Sequence, residues 1–224
     1  MPAAVSLLPP DVRRTLLQRL AAQHPNPRSE LNFSGPFELL CAVMLSAQAT
    51  DVSVNRVTPQ LFARAPDPGH LAELSEEEIG TLIRSIGLWR TKARNLRAMA
   101  AILEREYGGQ VPQEYEALTA LPGVGSKTAL VVLNVGFGRP VIAVDTHIFR
   151  VCCRTGLCVA AAPREVEASL PGLVPDEFKL RAHHQLLLHG RYVCRARKPQ
   201  CVTCCINDLC HTYAHDGSGN YSNS

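Results

Sequence analysis

Four cysteines near the C-terminus, Cys194, Cys201, Cys204 and Cys210, stand at spacing C-x6-C-x2-C-x5-C. Any fold that lets their thiolates share one centre must turn that segment back on itself. Such a set holds an iron-sulfur cubane or a zinc ion. Upstream, Leu121-Pro-Gly-Val-Gly125 runs directly into Ser126-Lys127, and a glycine turn of this kind can present outward amides to a phosphate.

The rest of the chain reads as helix. Val12, Leu16, Leu17 and Leu20 make one apolar stripe, and Leu96, Met99, Ile102 and Leu103 make another, with Lys92, Arg94 and Arg97 outside it. Ser75 followed by Glu78 spells a capping box and Gly87 a stop, which predicts a helix over about 76 to 86. Asp51 and Thr91 predict further N-caps, Gly108-Gly109, Gly136 and Gly156 predict stops, and Pro59 predicts a break or kink. Pro140 to Val144 is the one strand-like run and has no partner of equal quality. The expected fold is therefore all-α, with a tail from His211 to Ser224 that frays.

A chain of 224 residues with 46% hydrophobic content can build one large domain or two modest ones, and wholesale disorder is excluded. Its formal net charge is only +3, so a nucleic-acid partner has to be argued from local clustering. Arg191, Arg195, Arg197 and Lys198, with no acid among them, lie around the first two clustered cysteines. Nine cysteines without a signal peptide predict a reducing, cytoplasmic compartment. No stretch approaches the ~18 uninterrupted apolar residues of a membrane span, so no membrane association is expected.

The turn at Leu121 is flanked by helix-forming segments, Gln113 to Ala120 and Lys127 to Val135. Gly-Ser-Lys-Thr is not a nucleotide-binding P-loop, because Ser126 and Leu121 stand where that motif needs glycine. Lys127 falls in the first turn of its helix, where a cation is disfavoured by about a few tenths of a kcal/mol. That placement favours a neutral, nucleophilic amine; a plain phosphate contact is the other reading. Asp145, ahead of the apolar segment Thr146-His-Ile-Phe-Arg150, is an N-cap by position. Beside a lysine nucleophile, its carboxylate would also stabilise positive charge on a sugar and move protons.

Together these segments resemble the endonuclease III family of helix-hairpin-helix DNA glycosylases. The likeness lies in Leu121-Pro-Gly-Val-Gly-Ser-Lys-Thr-Ala129, Val144-Asp-Thr-His-Ile-Phe-Arg-Val151, His189-Gly-Arg-Tyr192 and the cysteine spacing, in that order. Leu31-Asn-Phe-Ser34 and Leu45-Ser-Ala-Gln-Ala-Thr-Asp51 extend it toward the N-terminus. The resemblance implies two helical domains flanking a DNA-binding cleft. Residues 29–139 would form a six-helix barrel with its helix-hairpin-helix at about 115–134, residues 1–28 plus 140–212 a cluster domain, and 213–224 a flexible tail.

The resemblance further implies a bifunctional glycosylase and abasic-site lyase. Lys127 would attack C1′ of a damaged, flipped-out nucleotide and Asp145 would stabilise the developing charge, after which β-elimination cuts the strand 3′ to the lesion. Gln48 and Leu88 match the positions that fill the gap left by the base. Leu121, Gly123, Val124, Gly125 and Arg191 would contact the DNA backbone, and the four cysteines match the ligands of a [4Fe-4S] cluster. The implied partner is double-stranded DNA carrying damaged bases, oxidised pyrimidines by default, or abasic sites; the implied state is a monomer.

Three positions depart from the family pattern. Ser126 stands where arginine is common, Trp89 where tyrosine is usual, and Cys205 directly follows Cys204. Trp89 would either stack on a base or pack into its loop. Two rival readings are a monofunctional mismatch glycosylase, which lacks the lysine, and a non-catalytic DNA-binding iron-sulfur protein.

Overall fold

The computed structural model describes residues 5–216. Its helices, in chain order, are α1 (Pro10–Gln23), α2 (Pro36–Ser46), α3 (Asp51–Arg64), α4 (Pro68–Glu73), α5 (Glu76–Leu82), α6 (Trp89–Tyr107), α7 (Tyr115–Thr119), α8 (Ser126–Phe137), α9 (Thr146–Thr155), α10 (Pro163–Leu173), α11 (Asp176–Tyr192) and α12 (His211–Asp216), with a 3-10 turn at Asn207–Leu209. No strand occurs among the described residues. The fold is all-α, and none of these helices is long and apolar enough to cross a membrane.

The chain divides into two compact units. Ser29–Arg139 forms the hairpin unit, and Met1–Arg28 with Pro140–Ser224 forms the cysteine unit. In the hairpin unit α2 is apolar all round, with Leu39 to Leu45 buried without interruption. It is wrapped by amphipathic neighbours, among them α6, whose Leu96, Met99 and Leu103 are fully buried. The cysteine unit closes over Leu16, Leu17 and Leu20 of α1, Ile148 and Val151 of α9, Val166 and Leu170 of α10, and Leu186 of α11.

Local chemistry accounts for several helix ends. The Ser75–Glu78 capping box forms in both directions, and α5 ends at Leu82, a turn short of the predicted stop. Gly108 and Gly156 end α6 and α9 in the left-handed conformation. Gly136 does not stop α8, which runs on to Gly138. A methyl group on Gly136 would stand 3.1 Å from Leu39 Cδ2, so that glycine serves the close crossing of α8 over α2.

Other expectations shift. The cap of α3 is Thr50, whose side chain accepts from the Ser53 amide, and Asp51 is the first helical residue. Thr91 caps nothing, because α6 begins two residues earlier at Trp89. Helix α3 continues across Pro59, since losing one helical bond need not interrupt a helix packed by Val54, Val57 and Leu61. Pro140 to Val144 is coil, not strand; Pro140 is exposed, and Ile142 and Val144 serve the core of the cysteine unit. Of the stretch expected to fray from His211, the first part is α12, and residues 217–224 lie outside the described residues.

Trp89 is a packing residue. A methyl group on Gly80 would lie 2.6 Å from its ring, and the Arg90 guanidinium sits 4.3 Å from the ring centroid on a face of its own. Gly80→Ala should accordingly destabilise the protein by about 1–3 kcal/mol through overpacking. The check is the urea midpoint, and an unchanged midpoint would contradict this packing.

Candidate active site and cysteine centre

The hairpin is α7, a glycine turn and α8. Leu121 and Val124 are buried, and the Val124 amide donates to the Leu121 carbonyl (3.1 Å), closing the turn. These two residues therefore anchor the turn. Gly123 and Gly125 are exposed, and among the described residues neither commits its amide to a protein acceptor. Gly123 has φ +79°, and a Cβ there would lie 2.7 Å from Asn95 Nδ2 of α6, so only glycine closes the turn against that helix.

Gly125 is the N-cap of α8 and offers no side-chain cap, which leaves the helix's positive end available to an anion. Lys127 is exposed in the first turn. Asp51, at the start of α3, feels its charge: burial raises the Asp51 pKa and Lys127 opposes that rise. Asp51, read from sequence only as a cap, thus shares the electrostatic neighbourhood of the candidate nucleophile.

Gln48 and Leu88 are both exposed, at the ends of loops that precede α3 and α6. Among the described residues only three non-glycines have positive φ: Gln48 (+56°), Leu88 (+59°) and Lys198 (+50°). Left-handed backbone is costly for such residues and tends to collect at functional positions. The two loops are neighbours, for a methyl group on Gly87 would stand 4.0 Å from the Gln48 carbonyl oxygen.

Lys92 overturns its expected place on the polar face of α6. It is 8% exposed, and its Nζ donates to the carbonyls of Leu45 (2.8 Å) and Ala47 (2.7 Å). Burial lowers its pKa.

In the cysteine unit Asp145 caps α9. Its Oδ1 accepts from the amides of His147 (2.9 Å) and Ile148 (2.8 Å), which fixes the carboxylate's direction. Gly190 of α11 packs against this first turn so closely that a Cβ would meet the His147 backbone oxygen at 2.9 Å. Arg191 follows in the last turn of α11, half-buried.

Cys194, Cys201, Cys204 and Cys210 line one small cavity, together with Arg154, His189 and Ile206. Burial raises the Cys194 thiol, with Arg154 acting against it. Cys205 and then burial push Cys204 up to about 12, and burial pushes Cys210 up to about 11. A bound metal would draw such thiols toward their thiolate form. Cys205 turns aside, its Sγ donating to Gln23 Oε1 (3.5 Å), and does not line the cavity.

Two arginines on α9, one turn apart, fasten this loop. Arg150 donates to the carbonyls of Cys194 (2.8 Å) and Gly190 (2.7 Å). Arg154 donates to the Arg195 carbonyl (2.8 Å) and approaches Cys194 Sγ at 3.7 Å. The i, i+4 spacing of Arg150 and Arg154 was the available signal, but which loop they meet is set by long-range packing. Arg195, Arg197 and Lys198 remain exposed.

Residues 41–176 match the model of the family described as HhH-GPD superfamily base excision DNA repair protein. Endonuclease III of Escherichia coli (strain K12) is 54% identical over 198 residues, 88% of this chain and 94% of that protein. Two solved structures of endonuclease III with DNA are similar at 43% identity. One is a trapped covalent intermediate (TM-score 0.88, covering 95% of this chain and 100% of that one), the other a non-covalent complex (TM-score 0.87, 93% and 98%). The chain belongs to the HhH-GPD superfamily of base excision DNA repair proteins and, within it, to the endonuclease III family. It is accordingly a DNA glycosylase of base excision repair.

The cap geometry gives a stability test for Asp145. Asp145→Asn keeps an acceptor oxygen and should stay within about 0.5 kcal/mol of wild type, whereas Asp145→Ala should cost about 1 kcal/mol. Urea denaturation of both variants measures the difference, and equal losses would show that Oδ1 does not cap α9.

Proposed function

We propose that this glycosylase also cleaves the strand, acting as a bifunctional glycosylase and abasic-site lyase on oxidised pyrimidines in duplex DNA, with Lys127 as nucleophile. The chain has four lysines, Lys92, Lys127, Lys179 and Lys198. Lys92 is engaged by carbonyls, Lys179 pairs with Asp176 at 2.6 Å, and Lys198 sits in the loop between Cys194 and Cys201. Lys127 alone stands in the first turn of the hairpin's second helix, and that placement is the observation that carries the reading.

The amides of Gly123 and Gly125 hold a backbone phosphate and the exposed arginines near Arg191 add long-range attraction. Lys127 Nζ attacks C1′, the glycosidic bond breaks, and the base leaves with a proton. Asp145 stabilises the positive charge developing on the sugar and assists the proton transfers. Collapse to the imine lets C2′ lose a proton and expel the 3′ phosphate, which cuts the strand. Gln48 and Leu88 fill the gap left in the stack, offsetting part of the cost of extrusion, which is on the order of a few kcal/mol. A monomer acting in the cytoplasm, nucleoid-associated if the source is prokaryotic, fits this role.

Four cysteines around one cavity, with a guanidinium beside one sulfur, support a [4Fe-4S] cluster held by Cys194, Cys201, Cys204 and Cys210. Bound there, the cluster would supply structural cross-linking of the basic loop. Purified protein should contain about four irons per chain and lose them in Cys201→Ala; one zinc per chain would contradict the assignment.

The lyase assignment is tested on a duplex containing thymine glycol, analysed with and without alkali. Wild type should give a nicked strand ending in a 3′ unsaturated aldehyde without alkali. Lys127→Ala should lose that product, and Asp145→Asn should slow it by roughly 10². Product that appears only after alkali would identify a monofunctional glycosylase.

A further inference from the structure

The buried ammonium of Lys92 takes no part in the chemistry above, yet it joins the roots of both exposed left-handed loops. Its backbone amide donates to the Leu88 carbonyl (3.1 Å), closing the first turn of α6 on the residue at φ +59°. Its Nζ donates to the carbonyls of Leu45 and Ala47, which precede Gln48 at φ +56°. Those acceptors belong to the C-terminus of α2, where orphan carbonyls and the helix dipole present partial negative charge.

Burying an ammonium is costly even when it is hydrogen-bonded, and an apolar side chain of similar length would fill the same space at less cost. What an apolar residue cannot do is hold the Gln48 loop at a fixed distance from the start of α6. We propose that Lys92 is a positioning residue that sets the spacing between Gln48 and Leu88, so that both side chains enter the gap left by an everted nucleotide together. The proposal rests on the gap-filling role assigned to Gln48 and Leu88. Lys92 touches neither DNA nor the reacting atoms; it acts through the two loops it ties together.

A mutant cycle in the full-length protein tests this, using Lys92→Met, the pair Gln48→Ala with Leu88→Ala, and the triple variant. Single-turnover base release is measured on a dihydrouracil duplex carrying 2-aminopurine opposite the lesion. The alanine pair and Lys92→Met should each slow the reaction about tenfold or more, and the triple variant should be within about twofold of the slower of the two, because all remove the same function. Binding of wild type should brighten the 2-aminopurine, and that brightening should be lost in Lys92→Met.

If Lys92→Met keeps the wild-type rate, or if the triple loss equals the product of the separate losses, the positioning role is overturned while gap filling stands. If the alanine pair keeps the wild-type rate, gap filling itself fails, and this inference with it. Should Lys92→Met not fold, Lys92→Gln, which keeps one donor for the two carbonyls, carries the same cycle. Its loss should again disappear in the alanine background, and an independent, multiplicative loss overturns the proposal.

Discussion

The absence of a side chain at Gly123 is the constraint from which the hairpin unit follows. With any other residue the turn would collide with Asn95, and the left-handed backbone would be strained. Closed as it is, the turn lies against α6, leaves the amides of Gly123 and Gly125 exposed, and launches α8 with Lys127 in its first turn. The same helix α6 begins at Leu88 and carries Lys92, which reaches the carbonyls before Gln48. One helix thus fixes the glycine turn and both loop residues at its N-terminal end, because Leu88, Lys92 and Asn95 follow at near-helical intervals along one side.

The cysteine unit uses a parallel device. Asp145 caps α9, and the same helix, one and two turns on, sends Arg150 and Arg154 to the backbone of the loop that holds Cys194. A carboxylate at one end and the cysteine loop along the side are therefore held by a single rigid element. Gly190 lets α11 approach α9 closely at this point, so the direction of the carboxylate and the path of the loop are fixed by the same packing.

Much of this was legible in the chain, and the division follows range. Features decided within one turn of helix were readable: the Ser75–Glu78 capping box, the stops at Gly108 and Gly156, the glycine turn before Lys127 and the cap at Asp145. Features decided by distant packing were not. Gly136 looked like a stop because its partner, Leu39 of α2, lies far away in sequence. Lys92 looked solvated because nothing local announces that α2 ends beside it. Pro140 to Val144 had the composition of a strand, but with no strand to pair with, its apolar residues simply fill a core. Asp51 was read as a cap one position late, and its proximity to Lys127 in charge had no signal in the sequence.

In the proposed reaction one amine, Lys127, forms the covalent bond to the sugar. This step is tested most directly by reducing the complex with an abasic duplex using borohydride, digesting the cross-linked protein and locating the modified residue by mass spectrometry. A single stoichiometric adduct on Lys127 is expected. An adduct on Lys92, Lys179, Lys198 or the N-terminal amine, or no adduct at all, would contradict it.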